Sequence, residues 1–158
     1  MEVVMLNPWY ITGLVEGEGC FCVSFNLRSS LRVKIETKPS FSISLNKKDL
    51  ELLKRIREYF QVGGIRFSRS DRAYRYEVKD IKDISERIIP HFESYPLQGA
   101  KKEDFEKFKQ ICQMVRANLH LSPKHLPKII DIAYSMNPSG KRRYTKEDLL
   151  QVLGGMKV

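Results

Sequence analysis

The chain has 158 residues, of which 42% are hydrophobic and 30% charged, and its formal net charge is +9 at pH 7. This length and balance predict one globular domain over residues 1–158, with a core from about 7 to 137 and a C-terminal helical tail from about 138 to 158. No apolar run approaches the about 20 residues of a membrane span, and no basic-then-apolar leader opens the chain. We therefore expect an intracellular protein, in a prokaryotic cytoplasm or an organelle, with no membrane partner. The three cysteines, an odd number, argue against a disulfide framework.

The positive charge is concentrated in the middle of the chain. Residues 28–79 hold 14 Lys or Arg and 6 Asp or Glu, a net charge of +8, so the rest of the chain contributes only +1. A basic middle on a nearly neutral scaffold predicts a surface that binds a polyanion. An anionic membrane is a weaker alternative, because this segment alternates at strand spacing and does not form a basic amphipathic helix.

The first predicted element is an apolar helix over about residues 8–17, with Asn7 as its N-cap and Pro8 in its first turn. Gly13 and Gly17 lie four residues apart and share one helical face. Two small residues on one face allow a second backbone to approach closely.

Two glutamates and two glycines alternate at the end of this helix. We expect Gly17 and Gly19 to end the helix in the left-handed conformation that glycine adopts without strain. Glu16 and Glu18 then lie at the negative end of the helix dipole, which disfavours an anion unless a cation shares the site. A hard divalent cation held by carboxylate and carbonyl oxygens would resolve that conflict.

Two alternating strands follow the first helix. The first covers residues 20–27, and the second covers about 31–45 after a turn at 28–30, with a bend or bulge at Pro39. Period-two alternation with a polar face indicates antiparallel strands that are covered on one side. The residues predicted to point inward are Phe21, Val23, Phe25, Leu27, Leu31, Val33, Ile35, Phe41, Ile43 and Leu45.

The later elements complete an α+β pattern. A helix over 47–60 is followed by a break at Gly63-Gly64 and by strands at about 64–69 and 73–79, with Ile65, Phe67, Tyr74, Tyr76 and Val78 inward. A helix over 81–89 ended by Pro90, a loop at 95–100, a helix over 101–119 and a helix from Ser122 to about Met136 come next. After a breaker at 137–140, the capping pattern of Thr145 and Asp148 predicts a last short helix. This order predicts an antiparallel four-stranded sheet with helices packed on one face, an αββαββα core plus C-terminal helices.

The segment from Trp9 to Gly19 resembles the motif of the LAGLIDADG homing endonuclease family. Ile11-Thr12-Gly13 corresponds to the Leu-Ala-Gly of the motif, Leu14-Val15 to its hydrophobic pair, and Glu16-Gly17-Glu18-Gly19 to its acidic-glycine pairs. Thr12 replaces a small apolar residue, and Glu replaces Asp at both acidic positions. The segments from Tyr95 to Phe105 and from His125 to Asn137 look like two further blocks of the family.

The resemblance implies a saddle-shaped sheet and site-specific double-strand cleavage of DNA for intron or intein homing. It also implies that Glu18 binds the catalytic metal with help from the Gly17 carbonyl, and that Lys101, with Lys102 as the alternative, lies near the scissile phosphate. Mg²⁺, or another divalent cation such as Mn²⁺, suits this chemistry because it prefers oxygen ligands and ionises water. The family often places a polar residue such as glutamine near the end of the second strand. The matching position here is the apolar Leu45, with Asn46 beside it, so the chain departs from the family at a place where a side chain would order water.

Stoichiometry follows from the single motif. In the family a single-motif chain works as a homodimer, and one glycine-bearing helix satisfies its close-packing face only against a second copy. We expect a dimer interface at Tyr10, Gly13, Leu14 and Gly17, and a near-palindromic target of about 20 base pairs.

The outward-pointing polar residues are predicted to contact double-stranded DNA rather than a small-molecule substrate. Arg reads guanine edges, Asn and Ser hydrogen-bond to bases, and Lys mainly holds phosphates. These residues are Ser24, Asn26, Arg28, Arg32, Lys34, Glu36, Lys38, Ser40, Ser42, Arg66, Ser68, Arg75 and Glu77. Two alternatives keep the fold without cleavage: an RNA-binding intron maturase and a non-catalytic DNA-binding protein.

Overall fold

The computed structural model describes residues 4–137 and 141–155. The helices and strands, in chain order, are α1 (Pro8–Glu18), β1 (Gly19–Leu27), β2 (Ile35–Asn46), α2 (Leu50–Phe60), β3 (Gly64–Ser68), β4 (Ala73–Val78), α3 (Ile81–Asp83), α4 (Ile89–Ser94), α5 (Lys101–Arg116), α6 (Leu126–Tyr134) and α7 (Lys146–Gly154). The strands form one antiparallel sheet in the order β1-β2-β4-β3, so the α+β class predicted from the sequence is confirmed. Within the described residues, no helix is long and apolar enough to cross a membrane.

The chain divides into two compact units. The first comprises Met1–Phe21 and Ser40–Lys102, and the second comprises Cys22–Pro39 and Glu103–Val158. Strands β1 and β2 therefore contribute residues to both units.

The core of the first unit is built around aromatic rings. The ring centroid of Phe41 lies 5.7 Å from that of Phe92, 5.3 Å from that of Phe21 and 6.1 Å from that of Phe60. All four side chains are buried, and each contributes about 1.5–3 kcal/mol by leaving water. Tyr76 is also fully buried and donates its hydroxyl to the carbonyl of Val62 at 2.6 Å. These contacts join α2 and α4 to the inward face of the sheet in this unit.

The core of the second unit is built from helical side chains and a tail arginine. Arg142 donates to the carbonyls of Val23 at 2.8 Å and Ala133 at 2.6 Å, and its guanidinium lies 4.3 Å from the centre of the Tyr134 ring. Thr145 caps α7 in a reciprocal capping box, as its sequence pattern predicts. The apolar side chains buried in this unit include Phe105, Phe108, Ile111, Leu126, Ile129, Ile130 and Leu149.

The second strand starts later than its alternation suggests. Strand β2 begins at Ile35, because the N–H of Arg28 donates to the Lys34 carbonyl at 2.8 Å and Lys34 adopts a left-handed φ of 61°. Arg32 and Lys34 are therefore exposed turn residues and not strand residues. Of the bend or bulge predicted at Pro39, the bulge is wrong, since the buried and less buried positions alternate through this residue without a change of phase.

Two side chains that we expected to point into the core are exposed. Leu27 is 48% exposed and Phe67 is 46% exposed. Leu27 is the last residue of β1, and Phe67 lies near the end of the edge strand β3, where its ring meets that of Tyr74 at 5.1 Å. Alternation determines the face that a side chain occupies, but it does not ensure that the end of a strand is covered.

Helical structure continues past Pro90, contrary to the prediction. A π-helical segment, Ile84–Ile88, joins α3 to α4, and the N–H of Ile89 donates to the Ile84 carbonyl. Pro90 has no N–H to donate, and the wider turn of the π-helical segment directly before it lets the helix continue through this residue into α4.

The ends of α5 and α6 also differ from prediction. Helix α5 ends at Arg116, and Asn118 follows with a left-handed φ of 61°. Helix α6 begins at Leu126 and not just after Ser122, and its N-cap position is His125. A turn precedes it, in which the Ser122 carbonyl accepts the N–H groups of His125 and Leu126. Residues 138–140 of the predicted breaker lie outside the described residues.

Candidate active site and nucleic-acid interface

Helix α1 leads directly into strand β1 without a left-handed residue. The Asn7 side chain accepts the Trp9 N–H at 2.9 Å, which confirms the predicted N-cap. At the other end Gly19 is extended, with φ of −86° and ψ of 160°, so the expectation of left-handed Gly17 and Gly19 is wrong. Gly19 is needed for space instead, since a Cβ there would lie 2.6 Å from Cγ1 of Val15.

The two glutamates at this helix end have different surroundings. Oε1 of Glu16 accepts the backbone N–H groups of Gln98 at 2.5 Å and Gly99 at 3.1 Å. Glu18 is exposed, and within the described residues its carboxylate makes no hydrogen bond or ion pair. Of these two described glutamates, Glu18 is therefore the one with both carboxylate oxygens available to a ligand.

Lys101 lies at the same helix end as Glu18. Its half-buried ammonium donates to the carbonyls of Val15 at 2.8 Å and Gly19 at 2.5 Å. A cation at this position also interacts favourably with the helix dipole. Lys102 is exposed and has no such contact among the described residues. The structure therefore brings Lys101, and not its neighbour, to the backbone that carries Glu18.

A metal at Glu18 would draw most of its ligands from outside this one chain. Within the described residues, no group of three or more His, Cys, Asp or Glu side chains could hold an ion. A single exposed carboxylate with the neighbouring Gly17 carbonyl fits Mg²⁺, which keeps several waters and is completed by substrate phosphates.

A buried polar chain that the sequence does not predict lies beside α1. The Tyr59 hydroxyl is 2.9 Å from Nδ1 of His91, Nε2 of His91 is 3.0 Å from the Thr12 hydroxyl, and Thr12 donates to the Tyr95 carbonyl at 2.9 Å. Because Thr12 donates onward, His91 must donate from Nε2 and accept at Nδ1. Burial lowers the pKa of His91 to about 4 and raises that of Tyr59, so both groups are neutral at pH 7.

One face of α1 is open to solvent. Trp9 is 52% exposed and Tyr10 is 49% exposed, and a Cβ added at Gly13 or Gly17 would meet no atom within 4 Å. Leu14 on the same helix is half-buried. The face predicted to pack closely against a partner is therefore apolar, exposed and free of large side chains at its two glycines.

In the first unit, the polar sheet face places two arginines opposite each other. Arg66 of β3 pairs with Arg75 of β4, and Arg75 pairs on its other side with Ser44 of β2. Nε of Arg75 donates to the Ser44 hydroxyl at 3.2 Å, whereas Nε of Arg66 is 3.8 Å from Oε1 of Glu77. The Arg66 side chain is 57% exposed, so it is the less constrained of the two. Ser40, Ser42 and Ser68, which were also predicted to point outward, are half-buried.

In the second unit, the predicted residues form an ion-pair cluster around Glu36. Glu36 pairs with Arg28, and with Lys38 at 3.3 Å. The hydrogen bond from Arg28 lowers the pKa of Glu36, which therefore stays ionised. Ser24 donates to the Lys38 carbonyl at 3.4 Å, and Asn26 is half-buried.

Comparison with known proteins supports the pattern seen at α1. A model of the LAGLIDADG endonuclease family matches residues 11–112. The chain is 35% identical over 137 residues to the probable intron-encoded endonuclease 3 of Neurospora crassa, which covers 86% of this chain and 26% of that protein.

Two crystal structures resemble the whole fold. That of the homing endonuclease I-TnaI has a TM-score of 0.83 at 30% identity and covers 96% of this chain and 98% of that chain. That of I-SmaMI, bound to an uncleaved DNA target in the presence of calcium ions, has a TM-score of 0.85 at 27% identity and covers 95% of this chain and 49% of that chain.

The chain thus spans nearly all of I-TnaI, about half of I-SmaMI, and about a quarter of the Neurospora protein. The family match extends over residues 11–112 and includes most of α1, with Glu18, and Lys101. The protein belongs to the LAGLIDADG endonuclease family.

Proposed function

We propose that this protein is a site-specific DNA endonuclease that hydrolyses phosphodiester bonds in both strands of a long, near-palindromic target and serves intron or intein homing. The observation that carries the proposal is the exposed Glu18 carboxylate at the end of a glycine-faced apolar helix, with Lys101 bound to the same helix end. The family match and the DNA-bound structure of I-SmaMI support it.

Glu18 and the Gly17 carbonyl are the proposed metal ligands. A divalent cation there, Mg²⁺ or Mn²⁺, would supply Lewis-acid polarisation of the phosphate and a lowered pKa of bound water. Glu18 suits this role because its carboxylate is exposed and unpaired within the described residues. The calcium ions in the I-SmaMI crystal structure support a divalent cation in this fold.

Lys101 is the proposed source of positive charge at the scissile phosphate. Its ammonium is held by two carbonyl groups, so the charge is placed without support from an acidic side chain. It can neutralise charge that develops on the phosphate or order the attacking water. Lys102 remains the alternative, and we expect Lys101→Met to lower the cleavage rate far more than Lys102→Met.

A second copy of the chain is the proposed partner of α1. Tyr10, Gly13, Leu14 and Gly17 would form a two-fold interface, because the exposed glycine face can pack closely against the same face of a second helix. Such a pair would bring together two Glu18 side chains, one for each DNA strand. The match to half of I-SmaMI and to nearly all of I-TnaI supports pairing of two such folds.

The polar face of the sheet is proposed to bind the DNA. Arg66 and Arg75 are directly opposed like charges, which Glu77 offsets only in part from 3.8 Å beside Arg66, and a further anion or a base edge against them would relieve the remaining repulsion. This supports a polyanionic ligand. The same role is proposed for the other outward residues of the strands, for Arg28 and for the turn residues Arg32 and Lys34.

Selection of a target from a randomised library, with Mg²⁺ as the cation, tests the proposal. The expected result is cleavage of both strands at one near-palindromic sequence, with loss of cleavage in EDTA. Tight binding to a selected target without any cleavage in Mg²⁺ or Mn²⁺ would leave a non-catalytic DNA-binding protein, and selective binding of folded intron RNA alone would favour the maturase.

A further inference from the structure

We propose that Glu16 is a positioning residue that fixes the Lys101-bearing loop against the end of α1, and that metal binding is left to Glu18. This inference rests on the proposed endonuclease function. The motif contains both glutamates, and only the structure distinguishes them.

The Glu16 carboxylate is already occupied by the protein. Its Oε1 accepts two consecutive backbone N–H groups, those of Gln98 and Gly99, from the loop that precedes α5. A carboxylate is a strong acceptor for such groups, and these bonds stabilise it at the otherwise unfavourable negative end of a helix. Glu16 therefore needs no metal ion to offset its charge.

The loop is shaped to receive this carboxylate. A Cβ added at Gly99 would lie 2.8 Å from Oε2 of Glu16, closer than such atoms normally approach. A side chain at residue 99 would therefore require the Glu16 carboxylate to shift away from the position in which it accepts these N–H groups.

A second attachment lies one helical turn earlier. Thr12 and Glu16 are four residues apart on α1 and so share a face. Thr12 donates to the Tyr95 carbonyl at 2.9 Å, and Lys101 then reaches back to the carbonyls of Val15 and Gly19. The loop is held at residues 95, 98, 99 and 101, all by α1 or the residue that follows it.

Attachment at these points determines where the Lys101 ammonium lies. Hydrogen bonds to its N–H groups restrict the loop backbone to few conformations before DNA binds. Less conformational entropy is then lost on placing Lys101 for the reaction than in a loop without this attachment. Loss of Glu16 would release Gln98 and Gly99, two residues before Lys101, and would misplace the ammonium without removing it.

Paired substitutions separate a positioning role from a metal-binding role. Glu16→Gln keeps an acceptor oxygen and removes the charge, whereas Glu16→Leu removes both. If Glu16 positions the loop, Glu16→Gln cleaves the selected target within about threefold of wild type and Glu16→Leu loses about 100-fold, with the Mg²⁺ concentration for half-maximal rate unchanged in both. A metal ligand would behave in the opposite way: Glu16→Gln would lose as much activity as Glu18→Gln and would need more Mg²⁺.

Amide hydrogen exchange gives a readout that does not depend on cleavage. The amides of Gln98 and Gly99 should be protected in wild type and in Glu16→Gln, and should exchange fast in Glu16→Leu. Fast exchange of both amides in the folded wild-type protein would overturn the proposal. Protected amides in a wild-type protein that cleaves no DNA would instead overturn the proposed function and keep the attachment.

Gly99→Ala tests the same contact while Glu16 is intact, and covers the case in which Glu16→Leu does not fold. The added Cβ should displace the carboxylate and lower the cleavage rate at least tenfold, without a change in the Mg²⁺ requirement. Gly154→Ala is a matched control, because its Cβ would meet no atom within 4 Å on an exposed helix. Wild-type rates in Gly99→Ala would contradict the inference.

Discussion

The neutral, buried His91 should make the free energy of unfolding of this protein decrease as the pH falls below 6.5. Its ring accepts a hydrogen from Tyr59 at Nδ1 and donates to Thr12 from Nε2, an arrangement that a doubly protonated ring cannot keep. Burial lowers its pKa from 6.5 to about 4. Below pH 6.5 the unfolded chain therefore binds a proton that the folded protein does not bind. Stability is fully present above pH 6.5 and is lost as the pH falls towards 4.

The size of this loss follows from the two pKa values. A difference of about 2.5 units corresponds to about 3 kcal/mol in total, and the part lost between pH 7 and pH 5 is about 2 kcal/mol. Such a loss is a large fraction of the 5–15 kcal/mol that stabilises an average domain.

Urea unfolding of wild type and His91→Gln at pH 7 and pH 5 measures this contribution. Gln keeps a donor near Thr12 but does not titrate. The contributions of all other titrating groups are the same in the two proteins, so they cancel when the losses of wild type and variant are compared. Wild type should lose about 2 kcal/mol more than the variant between the two pH values. Equal losses, or an NMR titration of the His91 ring with a midpoint near 6.5, would refute the assignment of a buried neutral ring.

The open face of α1 and the opposed arginines give further predictions. Gly13→Leu should keep the protomer folded, because residue 13 is exposed and a Cβ there meets no atom within 4 Å, and it should dissociate the dimer in sedimentation, while Gly154→Leu on α7 leaves the dimer intact. An intact and active Gly13→Leu dimer would place the interface elsewhere. Arg66→Ala should cost about 1–3 kcal/mol at one base pair of the target, whereas Arg75→Ala should weaken binding to all sequences and reduce the salt slope by about one unit. Titrations against single-substitution targets would contradict this if Arg66→Ala lost equal affinity at every position.

Local patterns in the sequence predicted most of the fold. The capped helix α1, the alternation of β1 and β2, and the Thr145 capping box all follow from rules that involve neighbouring residues. The errors arose where the backbone takes a local conformation that the residue types do not indicate. Lys34 turns the chain before β2, and the π-helical segment lets the helical structure pass Pro90. Neither the left-handed residue nor the widened turn has a residue pattern that predicts it.

The candidate site shows the same division. The motif and its resemblance placed Glu18 at the end of α1 and nominated Lys101, which the structure brings to that helix end. The partners of Glu16 could not be predicted, because they are backbone N–H groups 82 and 83 residues away and every residue except proline has one. The part played by His91 was also missed. A lone histidine is usually a packing residue, and its partners are distant in sequence.

Cleavage and binding by Glu18→Gln test the central claim most directly. Gln keeps the volume of the side chain but removes the charge that would hold a divalent cation. With the selected target and Mg²⁺, the variant should bind with an affinity close to that of wild type, as measured by fluorescence anisotropy, and should cleave neither strand. Cleavage at the wild-type rate by this variant would contradict the assignment of Glu18 as the metal ligand and with it the proposed active site.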